Sequence, residues 1–267
     1  MEPKRQGRVL ILAGSDSGGG AGVQADIKTV TLLGGYAATA ITAITVQNTL
    51  GVQDVYKIPP SVAAAQARAV LDDIGADAFK TGMLGGRAMV EAVADILDGA
   101  PEIPAVVDPV MIAKGGQSLL SGKAIGAMLN RLVPRADLLT PNAPEAEALT
   151  GITVADLDGQ RRAAEALLAL GARAVLLKGG HLPGDRVTDL LVTADGETLL
   201  EGPRIDTRHT HGTGCTLASA CATGLAQGLP LHEAVARAWA YTAEAIRRAP
   251  GLGSGHGPLG HGWPLEP

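Results

Sequence analysis

The sequence predicts an α/β protein whose central sheet is mostly parallel and covered by helices on both faces. Short apolar runs recur along the 267 residues, with helix-like segments between most of them. Strands alternating with helices pair in parallel and bury both faces of their sheet. Aromatic residues are only 2% of the chain while glycine supplies 36 positions, so the core must be aliphatic and closely packed. A chain of this length buries roughly 70–75% of its unfolded surface. No repeat, low-complexity tract or long linker interrupts it, and residues 1–267 read as one domain.

Residues 9–13 form an apolar run ended by Gly14-Ser15-Asp16, which predicts a buried strand followed by a loop. Residues 21–33 are helical in pattern, and Gly34-Gly35 stops them. Further strands are predicted at 37–46, 76–79, 105–107, 138–139 and 174–177, with helices at 61–73, 87–97, 124–132 and 160–170. Residues 187–192 and 198–201 flank Ala194-Asp195-Gly196-Glu197 and predict a hairpin at the sheet edge. Helices at 213–227 and 231–248 close the domain.

Polar residues are placed unevenly on this frame. Asp16, Gln47, Asn48, Thr81, Asp108, Asn142 and Lys178 fall at or just past the C-terminal ends of predicted strands. That edge of an open parallel sheet is where ligands bind. A net charge of −5 and so few aromatics argue against nucleic acid as partner. No apolar stretch approaches the ~20 residues of a membrane helix, and the N-terminus lacks a signal-peptide core. Cys215 and Cys221, six apart on one predicted helix, lie on different faces and cannot bridge each other. The chain therefore reads as a soluble protein of a reducing cytoplasm.

Thr210-His211-Gly212-Thr213-Gly214-Cys215-Thr216 opens the helix at 213–227. Uncommitted amides and the helix dipole favour an anion there, and the same field would lower the Cys215 thiol. The plain alternative is a glycine-rich turn before a tightly packed helix. In the first loop, Gly20-Ala21-Gly22-Val23-Gln24-Ala25 matches the dinucleotide pattern G-x-G-x-x-A. The acidic residue expected about 20 positions later is missing, because Thr45-Val46-Gln47 stands there. Without a lysine, the loop is not a Walker A motif. It reads better as backbone approaching a small ligand, with Asp26 free to hydrogen-bond it or simply solvated.

Asp108-Pro109 and Pro141-Asn142-Ala143-Pro144-Glu145 follow successive strands. Asp108 and Glu145 could share Mg²⁺ with phosphate oxygens, directly or through water. Asn142 with Glu145 is equally a capping box, and a cap that also aims Glu145 at the site satisfies both readings. Lys178-Gly179-Gly180-His181 ends the last strong strand, where the lysine could neutralise phosphate or be a surface charge. His181, His209 and His211 have no metal-ligand spacing and read as exposed or supporting residues.

Taken in order, AGSDSGGGAGVQAD, ITAITVQNT, KTGMLG, DPVM, LLTPNAPEAEALTG, VLLKGGH, THGTGCTLASA and GSGHGPLGH resemble the hydroxymethylpyrimidine/phosphomethylpyrimidine kinases of thiamine biosynthesis. These enzymes belong to the ribokinase-like superfamily. The resemblance runs from about Val9 to His261. It implies a three-layer α/β/α sandwich without the large β lid of sugar kinases, usually a homodimer. It implies ATP and Mg²⁺ as cofactors, with room for a monovalent cation, and two successive phosphorylations of 4-amino-5-hydroxymethyl-2-methylpyrimidine. By match to its motifs, Gly14, Asp26, Gln47, Met83 and Val110 would hold the pyrimidine. Asn142, Lys178, Thr210 and Thr213 would meet ATP, and Asp108 and Glu145 would place Mg²⁺. Gly212, Thr213, Gly214 and Cys215 would form the anion hole, with Cys215 where sugar kinases carry an aspartate base.

Gly18 and Gly115 depart from the family's commoner serines, and Gly260 replaces a larger residue. The Lys114-Gly115-Gly116 content would permit residues 113–120 to close over a substrate. The nearest rival reading is a pyridoxal/pyridoxine kinase of vitamin B6 salvage, which shares the fold and the G-T-G-C loop; Met83 resembles the pyrimidine enzymes. More remote are an NAD-dependent oxidoreductase and a non-catalytic vitamin-binding protein.

Overall fold

The computed structural model describes residues 6–111 and 122–265. One nine-stranded sheet runs through it, in the order β3-β2-β1-β4-β5-β6-β7-β8-β9. The parallel part comprises β2 (Tyr36–Asn48), β1 (Arg8–Asp16), β4 (Ala78–Thr81), β5 (Ala105–Val107), β6 (Leu138–Leu139) and β7 (Ala174–Leu177). Antiparallel strands finish both edges: β3 (Gly51–Lys57) on one, β8 (Arg186–Thr193) and β9 (Gly196–Pro203) on the other.

Strand alternation divides the core. Leu10 and Leu12 of β1 face a cluster that includes Val90, Val93, Leu97, Leu132 and Leu167, while Val9, Ile11 and Ala13 face a second with Val30, Leu217, Ala222 and Ala238. The first layer is built by α2 (Pro60–Asp73), α3 (Arg87–Asp98), α4 (Gly122–Ala127), α5 (Ala143–Thr150) and α6 (Leu157–Ala169). The second is built by α1 (Gly22–Leu32), α7 (Thr213–Ala226) and α8 (Leu231–Arg247). This is the expected three-layer α/β/α sandwich.

Three details differ from the sequence expectation. β3 carries no core-facing stripe, since Gln53, Asp54, Tyr56 and Lys57 are exposed, so period-two burial could not reveal it. The helix expected at 124–132 changes to a π turn over Met128–Leu132 and a short 3₁₀ turn over Val133–Arg135, where Pro134 removes a backbone donor. β1 extends through Asp16, past the expected end, with a register shift between Ala13 and Ser15 that carries the glycine loop over the sheet edge. Gly115 and residues 113–120 lie outside the described residues.

Candidate active site

A cavity of about 910 Å³ opens along the C-terminal edge of the parallel strands. Gly14, Gln47 and Met83 line it around β2, β1 and β4, Val110 after β5, Asp189 and Gly202 from β8 and β9, and Trp239, Ile246 and Arg247 from α8. Asp108, Asn142, Glu145, Lys178, Thr210, Gly212, Thr213, Gly214 and Cys215 line the space between. Of the residues expected at the site, all border this cavity except Asp26 and the strand-end residues Asn48 and Thr81.

Asp26 is a correction. It is fully buried beneath the cavity, with both carboxylate oxygens 2.8 and 2.9 Å from Lys80 Nζ and Oδ1 accepting from Ser219 Oγ at 2.7 Å. The α1 turn that carries it points into the protein, so it has no oxygen to offer a ring ligand. Burial works against the Lys80 charge, yet Asp26, Cys215 and Asp108 hold the ammonium above its usual range. The signal for Lys80 was a lysine inside an apolar strand, which demands a buried partner.

Asp16 closes the glycine loop. Its carboxylate accepts from the amides of Gly18, Gly20 and Ala21 at 2.8, 3.1 and 2.8 Å, and lies 2.8 Å from His211 Nε2. Burial opposes the charge, but His211 and the Ala21 and Gly18 amides hold the Asp16 carboxyl below its usual range. His211 Nε2 thus faces a carboxylate directly. Gln47 Nε2 lies 2.9 Å from the same nitrogen. His211 is therefore a buried member of the cavity wall, where the sequence had placed it only among exposed or supporting histidines.

Lys178 Nζ lies 3.1 Å from Asp108 Oδ1 and 3.9 Å from Glu145 Oε2. Its burial is outweighed by Asp108 and Glu145, and the ammonium sits above its usual range. Burial pushes the Glu145 carboxyl up to about 7, helped by Asp108 and opposed by Lys178. Both arms of the capping box form: Asn142 Oδ1 accepts from Glu145 N at 2.9 Å, and Glu145 Oε2 from Asn142 N at 2.8 Å. The cap and the site reading are therefore one arrangement. Among the described residues no three ligating side chains converge on a point. Two buried carboxylates suit a hard divalent cation only if phosphate oxygens and water complete its shell, which agrees with the donors that Asp108 and Glu145 offer.

No side chain caps α7, so its first amides are uncommitted to a cap. Gly212, at φ +86°, turns the chain into the helix, and a Cβ there would collide with the Gly20 carbonyl. A Cβ at Gly214 would come within 3.1 Å of Lys178 Nζ, so the hole and the lysine are neighbours. Thr213 Oγ1 donates to the Thr210 carbonyl at 2.8 Å and holds the loop closed. The thiol expectation needs reversing. Burial pushes the Cys215 thiol up to about 11; Lys80 and a Gly22 amide pull it down, while Asp26 and Asp108 push it further up.

Residues 16–260 match the family described as phosphomethylpyrimidine kinase. The chain belongs to that family. It is a phosphotransferase with the ribokinase-like fold. Its chain is 51% identical to the hydroxymethylpyrimidine/phosphomethylpyrimidine kinase of Streptomyces coelicolor, over 96% of this chain and 95% of that one. It is 52% identical to a bifunctional thiamine biosynthesis protein of Geobacter sulfurreducens, over 97% of this chain but only 53% of the larger protein. Among solved structures, an ADP complex of Bacillus subtilis pyridoxal kinase superposes with a TM-score of 0.91 at 36% identity, covering 98% of this chain and 100% of that one.

Proposed function

We propose that this kinase transfers phosphate from ATP to the hydroxymethyl group of 4-amino-5-hydroxymethyl-2-methylpyrimidine, and then phosphorylates the monophosphate, for thiamine biosynthesis. The observation that carries it is the position of Lys178 beside the uncapped α7 N-terminus, in one cavity with Gln47, Met83 and Val110. The family and its relatives' names point the same way. The match over residues 16–260 supports reading residues 1–267 as one kinase domain.

Phosphoryl transfer asks for alignment and charge neutralisation more than covalent help. Lys178 and the Gly212–Cys215 amides receive the phosphate charge, while Thr210, Thr213 and Asn142 border the nucleotide. Asp108 and Glu145 would hold Mg²⁺, which when bound draws charge from the phosphate oxygens. The substrate oxygen bonds to the γ-phosphorus as the bond to the ADP oxygen breaks, and its proton passes to Cys215 in its thiolate form. Gly14, Gln47, Met83 and Val110 position the ring.

A homodimer fits the exposed apolar side chains Ile44, Val46 and Tyr56, which share one face of β2–β3. Two free cysteines and the lack of a membrane-crossing helix among the described residues support a cytoplasmic site of action. Pyridoxal is the second reading, favoured by the structural neighbour that binds ADP. Both are tested by following ADP release with MgATP and either alcohol, with products weighed by mass spectrometry. Mono- then diphosphorylated pyrimidine supports the proposal; turnover of pyridoxal alone transfers the chain to vitamin B6 salvage. Exchanging potassium for a large inert cation in the same assay tests the monovalent ion.

A further inference from the structure

Beneath the cavity floor, α1 and α7 lie side by side in register. Cys215 receives the Gly22 amide at the cavity, and four residues deeper on each helix Ser219 Oγ donates to Asp26 Oδ1 at 2.7 Å. Residues four apart share a helix face, so Cys215 and Ser219 of α7 both meet α1. Lys80, from the centre of the sheet, completes the lower rung with both Asp26 oxygens at 2.8 and 2.9 Å. A fully buried lysine and aspartate are expensive to desolvate, and an apolar pair of similar volume would fill the space at least as well. Packing alone gives no reason for an ion pair there.

We infer that the Lys80–Asp26–Ser219 cluster is a positioning device that sets the charge around Cys215, with Lys80 stabilising the Cys215 thiolate from below the cavity. Cys215 can accept a substrate proton only after losing its own, and burial opposes that loss. Four charged groups act electrostatically on the thiol: Asp26 from α1, Lys80 from β4, Asp108 after β5 and Lys178 after β7. Two are cations and two are anions. Lys178 is committed to Asp108 and to incoming phosphate, whereas Lys80 is sealed from substrate and keeps its charge through the reaction. Ser219 ties Asp26 to α7, so the anion is held toward the lysine. The inference deepens the proposed role of Cys215 as proton acceptor.

Its test measures the thiol directly and needs no substrate. Below a thiol's pKa the alkylation rate follows the thiolate fraction, so a shift of about one pH unit reads as about tenfold in rate at fixed pH. Iodoacetamide modification of Cys215 is followed by peptide mass spectrometry, with Cys221 buried as internal control. Lys80→Met is expected to slow Cys215 alkylation by about tenfold or more, because the cation is gone, and Asp26→Asn should slow it too, because a fully buried lysine without its carboxylate gives up its proton. General loosening of the fold would expose Cys215 in both variants and speed both. If Lys80→Met does not fold, the Asp26→Asn/Lys80→Met pair, which leaves no buried charge unpaired, should still slow alkylation, though by less, because Lys80 acts on the thiol more strongly than Asp26 does. Equal rates in all variants, or faster alkylation in either single variant, would overturn the inference whatever the kinase assay shows.

Discussion

Cys215 sits at the junction of two demands. In the proposed mechanism its amide belongs to the anion hole, and its sulfur, which lines the cavity, receives the substrate proton. Cys215→Ala keeps the first and removes the second, because the backbone amide survives the substitution. The expected outcome is a kcat lower by about 10²–10⁴, with the thermal shift produced by MgATP retained. An unchanged kcat would take the thiol out of the chemistry. Glu145 gives a second residue-level expectation. Its folded-state value of about 7 lies above the ordinary 4.5, so the folded chain holds this proton more tightly. The stability it contributes is present below about 4.5 and is lost as pH rises toward 7. Glutamine at the same place still completes a capping box. In the absence of nucleotide, Glu145→Gln should therefore gain Tm relative to wild type as pH rises from 5 to 8, while losing activity with MgATP. A constant Tm difference across that range would mean that Glu145 is not held protonated.

At the scale of the element, the turn into α7 explains why glycine opens it. Gly212 adopts φ +86° with the Gly20 carbonyl against it, so alanine there meets both left-handed strain and a collision. Gly228 has φ +83° with nothing within 4 Å, and its alanine variant meets the strain alone. Left-handed strain is about 1–2 kcal/mol, so Gly228→Ala should lower Tm modestly. Gly212→Ala should lower it further and also raise KM for ATP, because the helix N-terminus must move off the glycine loop. Steady-state kinetics on both variants separate the two effects; equal kinetics would show that the loop contact has no part in nucleotide binding. This turn was legible in the sequence because glycine and threonine before a small-residue run announce an uncapped N-terminus. The Asn142–Glu145 box was legible for the same local reason. Lys80, Asp26 and His211 were not, since each owes its role to a partner at least 54 residues away. Local pattern marks which residues begin a helix, but it does not say which side of a strand end faces the ligand.

For the whole molecule, the alternation of apolar runs gave the layers and the parallel strands, while β3 escaped because an exposed edge strand has no buried stripe to read. That edge matters beyond topology. On β2, Thr45 and Gln47 turn toward the cavity, and the alternate residues Ile44 and Val46 are 45% and 52% exposed on the opposite face. Ile44 pairs directly with Tyr56 of β3, which is 67% exposed, so three apolar side chains lie together where the sheet ends. A second copy of the chain would cover them, and a stable dimer buries about 1,200–2,000 Å² in total. Val46→Lys would set like charges against each other across a two-fold contact while leaving the cavity side of β2 untouched. Sedimentation should then show a monomer, against the dimer expected for wild type. Because Gln47 is the next residue on the strand, the monomer should have a raised KM for the pyrimidine alcohol and a nearly unchanged KM for ATP. A Val46→Lys protein that still sediments as a dimer would move the subunit contact elsewhere, and a monomeric wild type would remove it.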